Sequence, residues 1–288
     1  MKTVIVDRRE VALEIRKSGI VVDGQHIPFR LVDLLVLCGD ISLSTKTLIA
    51  LSRERIPLIA VSKNNRDFSL TLPMEAKNSE LRMRQYDTAS RRRIEYARYY
   101  LERKIKTHVE HLASTGTALD FAIWKSKIDN AETVPELLGV EGSFSRLYFN
   151  HFFKLLPSHL HKGKRSKRPP LDPVNAILSY LYTFGYHLIA SRLVMYGFDA
   201  SIGYLHESFR SHFALASDMM ECFRADTNKK TVELFDDGLL TADDFSKKGA
   251  VYLRSESRKR FWKEIKPFID ELTHDVDDEI ALLRMAIS

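Results

Sequence analysis

Two hydrophobic rhythms divide this chain. Up to about residue 75 the apolar residues come in short runs broken by turns, and from residue 78 they recur at helical spacing. Residues 3–6 predict a brief apolar strand, and residues 11–15 alternate as a half-buried one. Residues 19–22 and 25–28 flank Asp23-Gly24, a pair that accepts positive φ and predicts a tight hairpin. The continuous apolar run 34–38 predicts a strand covered on both faces, and residues 56–61 predict another. Between them Ser44 is the expected N-cap of a short helix, 45–54, with Leu48, Ile49 and Leu51 on its inner side. Lys63-Asn64-Asn65-Arg66 turns the chain into a last strand, 67–72, which Pro73 ends.

The helical part opens with residues 78–112, read as one or two long helices. Residues 118–130 give another, the segment 132–135 breaks the pattern, and a helix from 143 to 156 follows directly after Glu141-Gly142. Pro173 suits the first turn of a helix running to about residue 196. Residues 254–272 are amphipathic, with Phe261, Ile265, Phe268 and Leu272 facing inward. The expected fold class is α+β, a small N-terminal β-rich domain (residues 1–75) followed by a larger all-α catalytic domain (residues 76–288). The first lobe carries no site chemistry and reads as a scaffold or dimerisation surface.

A chain of 288 residues with 44% hydrophobic content can bury sizeable cores. No apolar run approaches the roughly eighteen residues of a membrane span, and the first residues lack a secretory pattern. A cytoplasmic protein with no membrane partner is therefore expected. Cys38 and Cys222 sit in apolar surroundings without metal-site spacing, as buried thiols of a reducing compartment do. No glycine-rich phosphate loop or dinucleotide fingerprint is present, so no nucleotide cofactor is indicated.

The formal charge of +6 is unevenly spread. Residues 77–106 hold ten Lys/Arg against four Asp/Glu, and residues 159–170 hold five bases and no acid, so the remainder is net negative. Arg91, Arg92 and Arg93 are interleaved with Tyr86, Tyr96, Tyr99 and Tyr100; guanidinium groups on phosphates and rings on bases would suit DNA. Lys162, Lys164, Arg165, Lys167 and Arg168 form a basic loop expected to be mobile alone and ordered on a phosphate backbone. A solvated helix face, tyrosines packed between helices and a flexible loop fit the same residues.

Three short segments carry the candidate chemistry: Glu141-Gly142, Gly203-Tyr204-Leu205-His206, and the stretch from Asp218 to Arg224. Together they offer one imidazole and up to three carboxylates. Asp218 and Glu221 stand three apart and share one face of a largely apolar helix. Such a pair must open onto a cleft, meet bases or bind a metal. Four motifs occur in order: Leu-Leu-Gly-Val-Glu-Gly (137–142), Pro-Pro-Leu-Asp-Pro-Val-Asn-Ala-Ile-Leu-Ser-Tyr (169–180), Gly-Tyr-Leu-His-Glu (203–207) and Asp-Met-Met-Glu-Cys-Phe-Arg (218–224). In these the chain resembles the CRISPR-associated integrase, the metal-dependent DNA endonuclease of the adaptation stage. The likeness is close through the helical part and general over the first seventy-odd residues.

That resemblance implies catalytic roles for Glu141, His206, Asp218 and Glu221. Glu141, His206 and Glu221 match the family's metal-binding positions, while Asp218 matches an acidic position that ligates through water or orients the site. Asn175 is implied only as a supporting residue. Hard oxygen donors with one imidazole suit Mg²⁺ or Mn²⁺. In such enzymes the 3′-hydroxyl of incoming spacer DNA attacks a repeat phosphodiester. Implied partners are double-stranded DNA (spacer precursor and CRISPR repeat), a second copy forming a homodimer through the β-rich lobes, and a small companion adaptation protein. Many relatives read Glu-Pro-Phe-Arg-Pro where this chain has Glu221-Cys222-Phe223-Arg224-Ala225, so the helix here is expected to continue past Glu221. Rival readings are a transposon integrase or a branched-DNA repair nuclease with the same site, and a non-catalytic DNA-binding scaffold.

Overall fold

The computed structural model describes residues 2–7, 13–63, 65–73, 78–207 and 212–287. Its first strands are β1 (Lys2–Val6), β2 (Leu13–Arg16), β3 (Gly19–Val22), β4 (Gln25–Pro28), β5 (Val32–Cys38), β6 (Leu58–Val61) and β7 (Phe68–Thr71). β1, β5 and β6 are parallel, β7 is antiparallel to β6, and the sheet order is β1-β5-β6-β7. β2, β3 and β4 make a separate antiparallel meander. Its β3–β4 turn has the expected positive φ at both positions, 50° at Asp23 and 80° at Gly24. Of the alternation expected over 11–15, Val11 and Ala12 lie outside the described residues.

The continuous apolar run of β5 is buried on both faces, as its composition predicts. Leu35 and Leu37 meet Val6, Ile20, Leu51 and Leu58 in one core, whereas Leu34, Val36 and Cys38 belong to the large helical core. Ser44 caps α1 (Thr45–Arg53), accepting from the Thr47 N–H at 3.1 Å. The inner face of α1 differs from expectation. Thr47 and Leu51 are buried at i,i+4 spacing, while Leu48 and Ile49 face outward.

Seven helices follow: α2 (Ser79–Arg91), α3 (Arg93–Ser114), α4 (Phe121–Asn130), α5 (Val134–Phe152), α6 (Pro173–Met195), α7 (Ala214–Asp236) and α8 (Ser255–Ala286). The segment 132–135, expected to break the chain, starts α5 instead. Thr133 is its N-cap and Pro135 occupies the first turn, where a missing N–H costs nothing. Glu141 therefore lies in mid-helix. α8 runs well beyond residue 272, with Pro267 inside it. A short antiparallel pair, β8 (Phe245–Lys248) and β9 (Ala250–Leu253), packs on α6, so the helical part is not purely α; the class remains α+β. α6 is apolar nearly all round, and α7, buried along most of its length, packs between α6 and α3. Among the described residues no helix is long and apolar enough to cross a membrane.

Candidate active site

The centre of the site is a lysine. Lys104 falls on the buried stripe of α3 with Ala97, Tyr100, Leu101, Ile105 and His108, and it is 2% exposed. A buried ammonium needs opposite charge nearby. Two carboxylates supply it: Glu141 of α5, whose Oε1 accepts from Lys104 Nζ, and Glu221 of α7, whose Oε2 lies 2.8 Å from Nζ. Glu141 reaches this position because it shares the inward stripe of α5 with Leu137, Phe144 and Tyr148. Ser145 Oγ donates to the same Glu141 oxygen at 2.7 Å.

Glu221 is almost wholly buried beside two cations, Arg224 and Lys104, and the His206 ring. Arg224 Nη2 lies 3.0 Å from Oε1, His206 Nε2 lies 3.9 Å from that oxygen, and Lys104 faces Oε2. Burial alone would raise its pKa, but Arg224 and then Lys104 hold it down to about 2. Glu141 is also lowered, because Lys104 and Ser145 outweigh burial and the nearby Glu221 charge. Both carboxylates are thus anionic throughout the physiological range.

Asp218, one turn before Glu221, is fully buried and its oxygens are committed. Oδ2 accepts from the backbone N–H groups of Tyr204 at 2.5 Å and Leu205 at 3.0 Å. Oδ1 takes the His206 N–H and the His206 ring Nδ1, each at 2.8 Å. With Nδ1 facing a carboxylate, the imidazole proton belongs there, and the Nε2 lone pair points to Glu221. Asp218 thus orients His206 rather than facing the carboxylate pair. Arg93, expected as a DNA contact, donates from Nε to the Tyr204 carbonyl at 2.9 Å and braces the same loop. Gly203 closes that loop against α7, since a Cβ there would lie 2.8 Å from the Ala214 carbonyl carbon.

A second polar layer lies behind. The Tyr182 ring is flanked by the Arg224 guanidinium at 4.7 Å and Arg165 at 5.5 Å. Tyr182 donates to Asn228 Oδ1; Asn228 Nδ2 donates to Tyr148 OH at 3.0 Å, which meets His111 Nδ1 at 2.7 Å. The basic loop is anchored rather than loose. Asn175, fully buried, accepts at Oδ1 from Arg165 Nη1 at 2.9 Å and the Ser166 N–H at 3.0 Å, and donates from Nδ2 to the Lys164 carbonyl at 2.9 Å. Arg165 points inward, while Lys162, Lys164, Lys167 and Arg168 are exposed. The Lys167 ammonium has its pKa lowered by burial of part of its chain, then by Arg224 and Arg165. Arg91 and Arg92 are exposed and pair with Asp87 at 2.8 Å and Glu95 at 2.6 Å.

The four acidic and imidazole residues that the motifs single out are therefore brought together. Reading the sequence missed Lys104, and Arg224, Tyr182 and Asn228 were given no role. The Lys104 signal was present: a lysine at an apolar stripe position between Leu101, Ile105 and His108. Among the described residues, no three His, Cys, Asp or Glu side chains converge closely enough to hold one ion as they stand. The Lys104 ammonium fills the space between Glu141 and Glu221.

A protein-family model, CRISPR associated protein Cas1, matches residues 3–266. The chain belongs to the Cas1 family. It is 28% identical over 294 residues to a protein of Thermodesulfovibrio yellowstonii named CRISPR-associated endonuclease Cas1 1, covering 94% of this chain and 92% of that one. Similar solved structures include a Cas1 protein from Thermotoga maritima (TM-score 0.91, 23% identity, 100% of this chain and 97% of that). A casposase bound to integration product follows at TM-score 0.87 and 19% identity, covering 100% and 90%. A Cas6-RT-Cas1–Cas2 complex gives TM-score 0.82 and 22% identity, with 99% of this chain on 34% of a longer one. These structures share the fold of the family.

Proposed function

We propose that this Cas1-family chain is a metal-dependent DNA endonuclease and integrase that joins spacer DNA into a CRISPR array by 3′-hydroxyl attack on a repeat phosphodiester. One observation carries the reading: Glu141 and Glu221, from separate helices, share the buried Lys104 ammonium, and His206, from a third segment, stands with Nε2 3.9 Å from Glu221. The donor set fits a small hard cation, Mg²⁺ or Mn²⁺, with an imidazole Nε2 lone pair and two anionic carboxylates. Glu221 Oε2 is buried without a hydrogen bond of good geometry, although Lys104 lies nearby. An ion held by Glu141, His206 and Glu221 would polarise the scissile phosphate and stabilise the leaving oxygen.

The chain's own residues supply the rest. Asp218 keeps the His206 proton on Nδ1, so Nε2 stays available. Exposed Lys162, Lys164, Lys167 and Arg168 offer a phosphate track beside the site. Cys222 is no nucleophile, since burial and the nearby Glu279 push its thiol far above the usual range. The attacking group is then a DNA hydroxyl, and no covalent enzyme intermediate is needed. In this reading residues 76–288 are catalytic and residues 1–75 form the scaffold and homodimer contact, where Leu31, Leu48 and Ile49 are left exposed. The similar complex named for Cas2 supports a small companion adaptation protein as partner.

The likeness to a casposase bound to integration product supports a second reading, an integrase serving an element other than a CRISPR array. Joining a short duplex to plasmids with and without a repeat, with Mg²⁺, Mn²⁺ or chelator, separates the two. Glu221→Ala and His206→Ala should each abolish strand transfer while DNA affinity changes less than about threefold, because the phosphate contacts lie elsewhere. Full strand transfer by both variants would overturn this site, and DNA binding by the wild-type chain with no strand transfer would leave a DNA-binding scaffold as the answer.

A further inference from the structure

We propose that Lys104 is a built-in competitor for the catalytic cation: its ammonium holds the carboxylate pair together in the metal-free protein and must withdraw when a divalent ion binds. The inference rests on the metal reading above and goes further, assigning to α3 a residue that controls loading of the site. Lys104 is the one lysine among the described buried residues, with its side chain 3% exposed. Its Nζ contacts Glu141 and Glu221 together, so it stands where an ion bridging them would stand. Oxygen–metal distances of about 2.1 Å leave no room for an ammonium between the same two carboxylates. Two positive charges a few ångströms apart in this water-poor interior would also repel strongly.

The surroundings fit a movable ammonium. Glu221 retains Arg224 at 3.0 Å, and Glu141 retains the Ser145 hydroxyl at 2.7 Å, so neither carboxylate is stranded when Lys104 leaves. A lysine stem has four rotatable bonds, which lets Nζ retreat without shifting α3, whose packing is set by Tyr100, Leu101 and Ile105. A binding-competent state that first requires an internal group to leave binds its ligand more weakly by that fraction. Lys104 therefore sets the metal affinity below what the bare donors would give, and keeps the empty site from splaying its two anions apart.

The test is Mn²⁺ titration followed by the paramagnetic resonance signal of the free ion, with thermal melting of metal-free and Mn²⁺-saturated protein. Wild type is compared with Lys104→Met and, as the site control, Glu221→Gln. Lys104→Met should bind Mn²⁺ at least about tenfold more tightly, melt lower than wild type without metal, and gain more than wild type on saturation. Unchanged or weaker Mn²⁺ binding by Lys104→Met would overturn the competitor role while leaving the metal site standing. Wild type that binds Mn²⁺ no better than Glu221→Gln would instead overturn the metal reading itself. Should Lys104→Met be unfolded without metal, recovery of the folded chain at saturating Mn²⁺ supports the proposal, and failure to recover overturns it.

Discussion

At the scale of single residues, four donors converge on Asp218: the backbone N–H groups of Tyr204, Leu205 and His206, and the His206 ring nitrogen. Asp218→Asn would turn one acceptor oxygen into an NH₂ group facing another donor. An unsatisfied pair in a fully buried position costs about 1–3 kcal/mol, and His206 would lose the group that fixes its ring. Strand transfer should fall as far as in His206→Ala, with a lower urea midpoint; near-wild-type transfer by Asp218→Asn would remove its orienting role. The basic loop divides in the same way. Changing Lys162, Lys164, Lys167 and Arg168 to Gln should flatten the dependence of log K on log salt by about 0.9 for each phosphate that is no longer neutralised. Arg165→Gln should leave that slope alone and lower the melting temperature, because its guanidinium serves Asn175, Ser179 and the Tyr182 ring. A steep loss of salt slope in Arg165→Gln alone would show that it faces DNA after all.

At the scale of elements, what the sequence shows depends on how locally each signal is encoded. The two-sided burial of β5, the Asp23-Gly24 turn and the Ser44 cap rest on neighbouring residues and were readable. The start of α5 was misplaced because Pro135 looks like a breaker, and only the capping geometry at Thr133 shows it inside a first turn. That displacement hid why Glu141 points inward. Its order and motif were legible, but its partner Lys104 was masked by the arginines and tyrosines that crowd α3. The junction of the His206 loop with α7 was not legible, since it depends on a backbone approach. Gly203 packs where a Cβ would lie within 2.9 Å of backbone atoms of Ala214 and His206. Gly203→Ala should therefore destabilise by about 1–3 kcal/mol in denaturant melts and impair strand transfer. Gly185→Ala in α6 is the contrast, because its Cβ would meet the flexible tip of Met220 at 2.9 Å, which can turn aside. Equal losses in the two variants would count against the close approach at Gly203.

At the scale of the whole molecule, the strand-rich and helical parts are joined by buried charge as well as by the shared β5 core. Arg258 of α8 is 4% exposed and reaches across to Asp7, with Nη2–Oδ1 at 2.6 Å, and to Asn65 Oδ1 at 3.0 Å. Inside the helical part, stability also depends on histidines kept neutral. Burial, then Lys104, lowers His108 to about 3, and burial lowers His111 to about 4. In the unfolded chain such residues titrate near 6.5. Below that pH the unfolded state takes up a proton that the folded state refuses, so stability is complete above pH 6.5 and falls as acid is added, down to the folded values. His108 alone should remove about 1.4 kcal/mol between pH 7.5 and 5.5. Glu141 and Glu221 act later: their lowered pKa values contribute stability that is present above about pH 4.5 and is lost only below it, for Glu221 on the way toward pH 2. Acid weakening should therefore begin about two units before the site carboxylates protonate, with the charges of Glu141 and Glu221 still intact. Urea melts at pH 7.5, 6.5 and 5.5 check this, and His108→Gln, which cannot titrate, should shrink the pH 7.5-to-5.5 difference. A wild-type midpoint that stays level down to pH 5.5 would show that the buried imidazoles are not what acid attacks first.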